Sequence, residues 1–157
     1  MKNMVLNVRV CAVIFAIAGH LVIAPLASAM PNRSAEITQV KQQFRNLNEQ
    51  QAHVVAIVEE FVDFNRNPGK KPREFVDELK HVLLNNPADK ARYQPVCNKL
   101  DDLLNKNVKN AVRFASEFKA FENLLAVEVR QALEAMKARK GLSKPQLLDI
   151  FKKRLNA

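Results

Sequence analysis

Chemistry at a protein site needs particular side chains at particular separations: a nucleophile beside a base, paired carboxylates in a cleft, a glycine loop around a phosphate, or metal ligands at fixed spacing. In this 157-residue chain the residues of the right type fail on spacing. His53 and His81 stand singly, without the i, i+4 arrangement by which one helix presents two imidazoles to zinc. Glu59-Glu60 and Asp101-Asp102 are adjacent carboxylates, but neighbours on a helix point about 100° apart and do not converge on one substrate atom. Gly69 and Gly141 sit at predicted helix boundaries and form no phosphate loop. Phe114, Phe118 and Phe121, at steps of four and three, read as core rather than as a ligand box. We therefore expect no enzyme, no cofactor and no metal.

What the residues offer instead is positive charge. Basic residues gather in a loop carrying Arg66, Lys70, Lys71 and Arg73, and in a C-terminal stretch carrying Lys137, Arg139, Lys140, Lys144, Lys152, Lys153 and Arg154. Such clusters attract polyanions or an acidic partner, and these eleven are the candidate binding residues. The plainer alternative is a solvated helical surface.

The elements that must carry these residues follow from periodicity. Ser34 can cap a first helix. Its stripe of Ile37, Val40, Phe44, Leu47, Gln51, Val54, Val58 and Phe61 runs at steps of three and four, and extra apolar residues from Ala52 to Phe64 widen it to face more than one partner. Pro68-Gly69 marks a turn, and Pro72 suits the first turn of a second helix, where its missing N–H leaves nothing unpaired. Asn85-Asn86-Pro87 should stop that helix and open a loop to Pro95, with at most one helical turn near Ala88 to Tyr93. From Val96 an apolar series reaches Met136 at about 3.6 residues per step. It is either one helix or two with a bend near Asn105-Lys106-Asn107. Gly141 fits a helix C-terminus, and Ser143 with Gln146 forms a capping box for a last helix with Leu147, Leu148, Ile150, Phe151 and Leu155 on its inner face. The expected fold is all-α: an antiparallel bundle or long helical hairpin of about four helices.

The chain opens as an exported protein does. Lys2 and Arg9 precede the first acidic residue, Glu36, Val10 to Ile23 is apolar apart from Gly19 and His20, and Pro25 leads to Ala27-Ser28-Ala29. A positive start, an apolar stretch and a small-x-small site make a signal peptide, so residues 1–29 should be cleaved after Ala29. An uncleaved anchor is the alternative, since Val10 to Ala29 is about long enough to span a bilayer. The remaining 128 residues, 30–157, would form a single helical domain with 23 basic and 16 acidic residues, a net charge of +7, and no transmembrane segment. The protein would be periplasmic or secreted, where nucleic acid is a poor partner and anionic lipid, lipopolysaccharide or acidic protein a better one. Cys97 is the sole cysteine after the signal. Beside Val96 and Leu100 it is either buried or the link of a homodimer.

Leu142-Ser143-Lys144-Pro145-Gln146 and the apolar run after it resemble the LTxxQ motif of the helical periplasmic stress proteins typified by the Spy chaperone and the CpxP regulator. The likeness covers about 15 residues. The second copy usual near the N-terminus of that family has lysine, Lys41, where glutamine belongs. What the resemblance implies is an exported, basic, non-catalytic dimer of long helices that cradles unfolded clients. Three functional expectations stand. One is a periplasmic holdase or stress adaptor gripping non-native or acidic partners through an apolar cleft and a basic rim. Another is a secreted effector or immunity-type protein with one specific protein partner, with lipid binding as a third course.

Overall fold

The computed structural model describes residues 33–157, and among these the chain forms seven α-helices. They are α1 (Arg33–Gln43), α2 (Glu49–Val62), α3 (Pro72–Leu84), α4 (Pro87–Asn105), α5 (Ala111–Leu124), α6 (Val127–Arg139) and α7 (Lys144–Asn156). The expected signal peptide and its cleavage site lie outside the described residues. The compact unit described below is Ala35–Ala157. Regular structure among the described residues is all α-helix, and no helix among them is long and apolar enough to cross a membrane.

The all-α expectation therefore holds, but the count of about four helices does not, because two long stripes are broken. The first breaks between Phe44 and Asn48. Asn48 accepts from the Gln51 backbone N–H at 2.8 Å, and the Gln51 side chain accepts from Asn48 N at 3.0 Å, a capping box that starts α2 afresh. The second stripe breaks twice. At Asn107, φ 52° places a non-glycine residue in the left-handed region. There the N–H groups of Asn107 and Val108 close back on the carbonyls of Leu104 and Leu103, the Schellman pattern that ends a helix. Leu125 and Ala126 are extended and separate α5 from α6.

The expected loop from Asn85 to Pro95 is another correction. Only two residues part the helices there: Asn86 accepts from Ala88 N at 3.1 Å and Pro87 takes the first position of α4. Pro95 lies inside α4 rather than opening it. It and Ala91, the residue four before it whose carbonyl loses its usual donor, are both exposed, so water can take that acceptor. Gly141, at φ 67°, ends α6 by the same pattern as Asn107, with Leu142 N donating to Lys137 O at 2.9 Å. Ser143 and Gln146 then form the predicted capping box of α7.

Packing centres on α2, which touches α3, α6 and α7. Its run from Ala52 to Val58 is buried except for His53, as are Phe61 and Val62, which is why its apolar stripe is so wide. Around its C-terminal end the phenylalanines meet. Phe61 stacks on Phe75 of α3 with centroids 4.0 Å apart, while Phe114 and Phe118 of α5 pack on Phe151 of α7 at 5.4 and 5.2 Å. The predicted phenylalanine strip of α5 is thus core, joining four helices.

Candidate functional site

The two basic stretches come together, but largely not as a surface. Arg154 is 1% exposed. From α7 its guanidinium donates to backbone carbonyls around the end of α2: Nε to Phe61 at 3.0 Å, Nη2 to Glu60 at 3.1 Å and Asp63 at 3.3 Å, and Nη1 to Asn67 and to Lys70 at 3.1 Å. The last carbonyls of a helix have no intrahelical donor and carry partial negative charge, so one cation serves α2 and the following loop together. Burial lowers the Arg154 pKa, opposed by the charges of Glu60 and Asp63. Lys70 is also interior, paired with Glu60 at 3.6 Å and with Glu78. Lys137 is interior too, paired with Glu122.

These three cannot meet an external polyanion as they stand, and for them the sequence-based expectation is corrected. A buried charge must be paired, and each satisfies an acceptor of its own fold. Of the rest, Arg66 meets Glu36 and Glu59, Arg73 meets Asp101 at 2.7 Å, Lys140 meets Asp63 at 2.9 Å and Glu59 at 3.3 Å, and Lys153 meets Asp149 at 3.0 Å. Arg139 lies over the Phe44 ring. Lys71, Lys144 and Lys152 are exposed, and their ammonium groups have no acidic partner among the described residues, although the Lys71 backbone N–H donates to Glu74 at 3.4 Å. Lys144 and Lys152 flank the feature that the sequence did not single out.

That feature is a cleft of about 470 Å³ between α5 and α7, closed at one end by the turn after α6. Its apolar lining comes from Phe118, Phe151, Leu147, Val112, Ala115 and Leu148. Phe118 and Phe151 belong to the core cluster, so its floor is rigid, whereas Val112 at the lip is 63% exposed. At the closed end Lys137 Nζ contacts both Glu122 oxygens, at 2.6 and 2.8 Å, and lies 5.8 Å from the Phe118 centroid. Glu134 approaches Lys137 at 3.5 Å, and Lys119 approaches Glu134 at 3.9 Å. Desolvating the Lys137–Glu122 pair is costly, and the bidentate contact offsets it while tying α5 to α6. Lys144 stands at the same end, in the first turn of α7, which contains no acidic residue.

What the cleft supplies is apolar surface edged by charge. Its one hydroxyl, Ser116, has no histidine among the lining residues, and among the described residues no three His, Cys, Asp or Glu side chains are grouped to hold a metal ion. Compared with protein-family models, curated proteins and solved structures, the chain matches none. One signal for the cleft did exist in the sequence: Val112, Ala115 and Ser116 continue the exposed edge of the α5 stripe, and Leu148 widens that of α7. The approach of the two helices was not readable, because it depends on the turns at Leu125 and Gly141.

Proposed function

We propose that this chain is an exported, non-catalytic helical binding protein that holds part of a protein partner in the cleft between α5 and α7. The observation that carries this reading is the cleft itself, an apolar trough with a rigid aromatic floor and a lysine rim, open to solvent at Val112. Covering apolar surface of this kind is the main source of association free energy. A small pocket that accepts one or two anchoring side chains is how most interfaces concentrate their affinity. Export rests on the signal-like pattern ending at Ala29.

Between a many-client holdase and a dedicated partner, the packing favours the second. A holdase of the long-helix kind would need broad apolar faces left open. Here α2 is almost wholly interior and the phenylalanines pack on one another, and the cleft between α5 and α7 is a modest apolar opening rather than a broad face.

A photo-crosslinking amino acid at Ser116, with a second at Lys90 on α4 as control, tests the reading in the organism that makes the protein. A single adduct at Ser116 is expected. A ladder of many adducts would restore the holdase, and equal labelling at both positions would remove the cleft from consideration.

A further inference from the structure

Beyond Val112 the trough continues into a second, more open hollow, which Lys109 and Lys152 flank. Val112 lines both. Because α5 and α7 run antiparallel along the trough, one end carries Lys109 and Lys152 and the other Lys119 and Lys144, with apolar Val112, Ala115 and Leu148 between them. Lys109, Lys144 and Lys152 have no acidic partner among the described residues. Lys119 lies 4.0 Å from Glu122 and 3.9 Å from Glu134, both of which also meet Lys137, so Lys144 is the cation at its end of the groove without an acidic partner. The order along the groove is cation, apolar, cation.

We propose that the occupant of this groove is an amphipathic helix of a partner protein, carrying an acidic residue at each end of a short apolar stripe. This rests on the reading of the cleft as a protein-binding site and adds the chemistry of the segment it takes. Charge complementarity carries it. A single-chain amphiphile has one anionic end and would leave the free lysine at the other end, Lys144 or Lys152, unmatched, whereas a helix can present an acid at both ends. Lys144 and Lys152 are eight residues apart on α7, about 12 Å at the helical rise. Positions i and i+7 of a partner helix are about 10.5 Å apart on one face. Acid at i, apolar residues at i+3 and i+4, and acid at i+7 therefore match the groove in order and span. Ala115 and Ser116, the small residues at its middle, let a helix backbone come close.

The test uses the full-length protein and three labelled helical peptides that share Leu at i+3 and i+4 and carry Glu, Gln or Lys at both i and i+7. Fluorescence polarisation near physiological salt should rank them Glu, Gln, Lys, with about tenfold between first and last. Lys144→Gln with Lys152→Gln should remove most of that discrimination, and Ser116→Trp, which fills the groove from an exposed position, should abolish binding of all three at unchanged circular dichroism. If the peptides bind equally and Ser116→Trp still blocks them, the acidic-helix inference is overturned and the cleft reading stands. If Ser116→Trp leaves the Glu peptide bound, the cleft reading falls as well. Palmitate that binds more tightly than the Glu peptide and displaces it would make the groove a lipid site and overturn the inference.

Discussion

Arg154 gives the end of α2 what a C-cap residue gives other helices, from 91 to 94 residues away in sequence for the Asp63, Phe61 and Glu60 carbonyls. Hydrogen bonds from a charged group contribute about 1.5–3 kcal/mol each, and removing one partner of a buried polar set costs about 3–5 kcal/mol. Arg154→Met should thus lower the unfolding free energy by about 3 kcal/mol or more, read from the urea midpoint. Arg154→Lys should fall between, since an ammonium keeps the charge but not the planar fork. A loss below about 1 kcal/mol would mean the five carbonyls are served by water instead. The spacing did hold a clue: Leu147, Ile150, Phe151, Arg154 and Leu155 fall on one helical face, so Arg154 lies in the buried stripe although its charge suggests a surface. No such clue exists for Lys70, which sits in a turn. Cys97 is legible in the same way, flanked by Val96 and Leu100, and it is buried, with burial as the first cause pushing its thiol up to about 11. It should resist iodoacetamide at pH 8 in the folded protein and react on unfolding, and non-reducing electrophoresis should show no disulfide-linked dimer.

Helix ends decided how much of each element could be read. The starts of α3, with Pro72 in its first turn, and of α7, with its Ser143–Gln146 capping box, were recognisable because local chemistry fixes them, whereas Asn86 and Pro87, which open α4, read equally as the end of α3. The break between α1 and α2 was hidden by an apolar stripe that keeps its phase across it, and Gln51, the one polar member of that stripe, is the residue that closes the Asn48 capping box. What ties the separated elements is partly ionic. Lys140, just past α6, meets Asp63, just past α2, at 2.9 Å. For Asp63, burial raises the pKa, but the Lys140 hydrogen bond and charge, with backbone N–H groups of Arg66 and Asn65, outweigh it and hold the carboxyl below 3.8. For Lys140, burial lowers the pKa, and Asp63 and Glu59 outweigh that, raising it above 10.5. A depressed acid contributes stability above its unfolded pKa and loses it as pH falls through the folded value, while a raised base loses it as pH rises through its own. The advantage of the native chain over Lys140→Gln should therefore be flat from about pH 4 to pH 10 and shrink outside that window. Its size should be about 1 kcal/mol or less, since both side chains are partly exposed. Urea titrations at pH 3, 7 and 9 check this, and an advantage that grows at pH 3 would contradict it.

At the scale of the molecule, apolar period alone was enough to read an all-helical chain, because no stretch alternates with the period of a strand. The arrangement of the helices was not readable, since it depends on which side chains meet across 40 to 90 residues of sequence, as Phe61 does with Phe114 and Phe151. Where the charge lies was not readable for a related reason. A sequence shows how many cations there are but not which are spent on internal acceptors: of the eleven, Lys70, Lys137 and Arg154 are inside and four more are in ion pairs. The same phenylalanine cluster makes a claim about cooperativity. Phe61 is fully buried and contacts rings from α3, α5 and α7, so helices that share it should unfold together. Tyr93 on α4 is the single tyrosine in a chain without tryptophan, and it is 7% exposed, which makes it a local reporter remote in sequence from Phe61. Tyrosine fluorescence and far-ultraviolet circular dichroism should give coincident urea transitions. Phe61→Ala, which removes a ring from the centre of the cluster, should destabilise by about 3–5 kcal/mol and move both transitions by the same amount. Should the dichroism shift while the Tyr93 signal keeps its midpoint, α4 would be unfolding apart from the aromatic core, and the rigidity ascribed to the floor of the cleft would have to come from α5 and α7 alone.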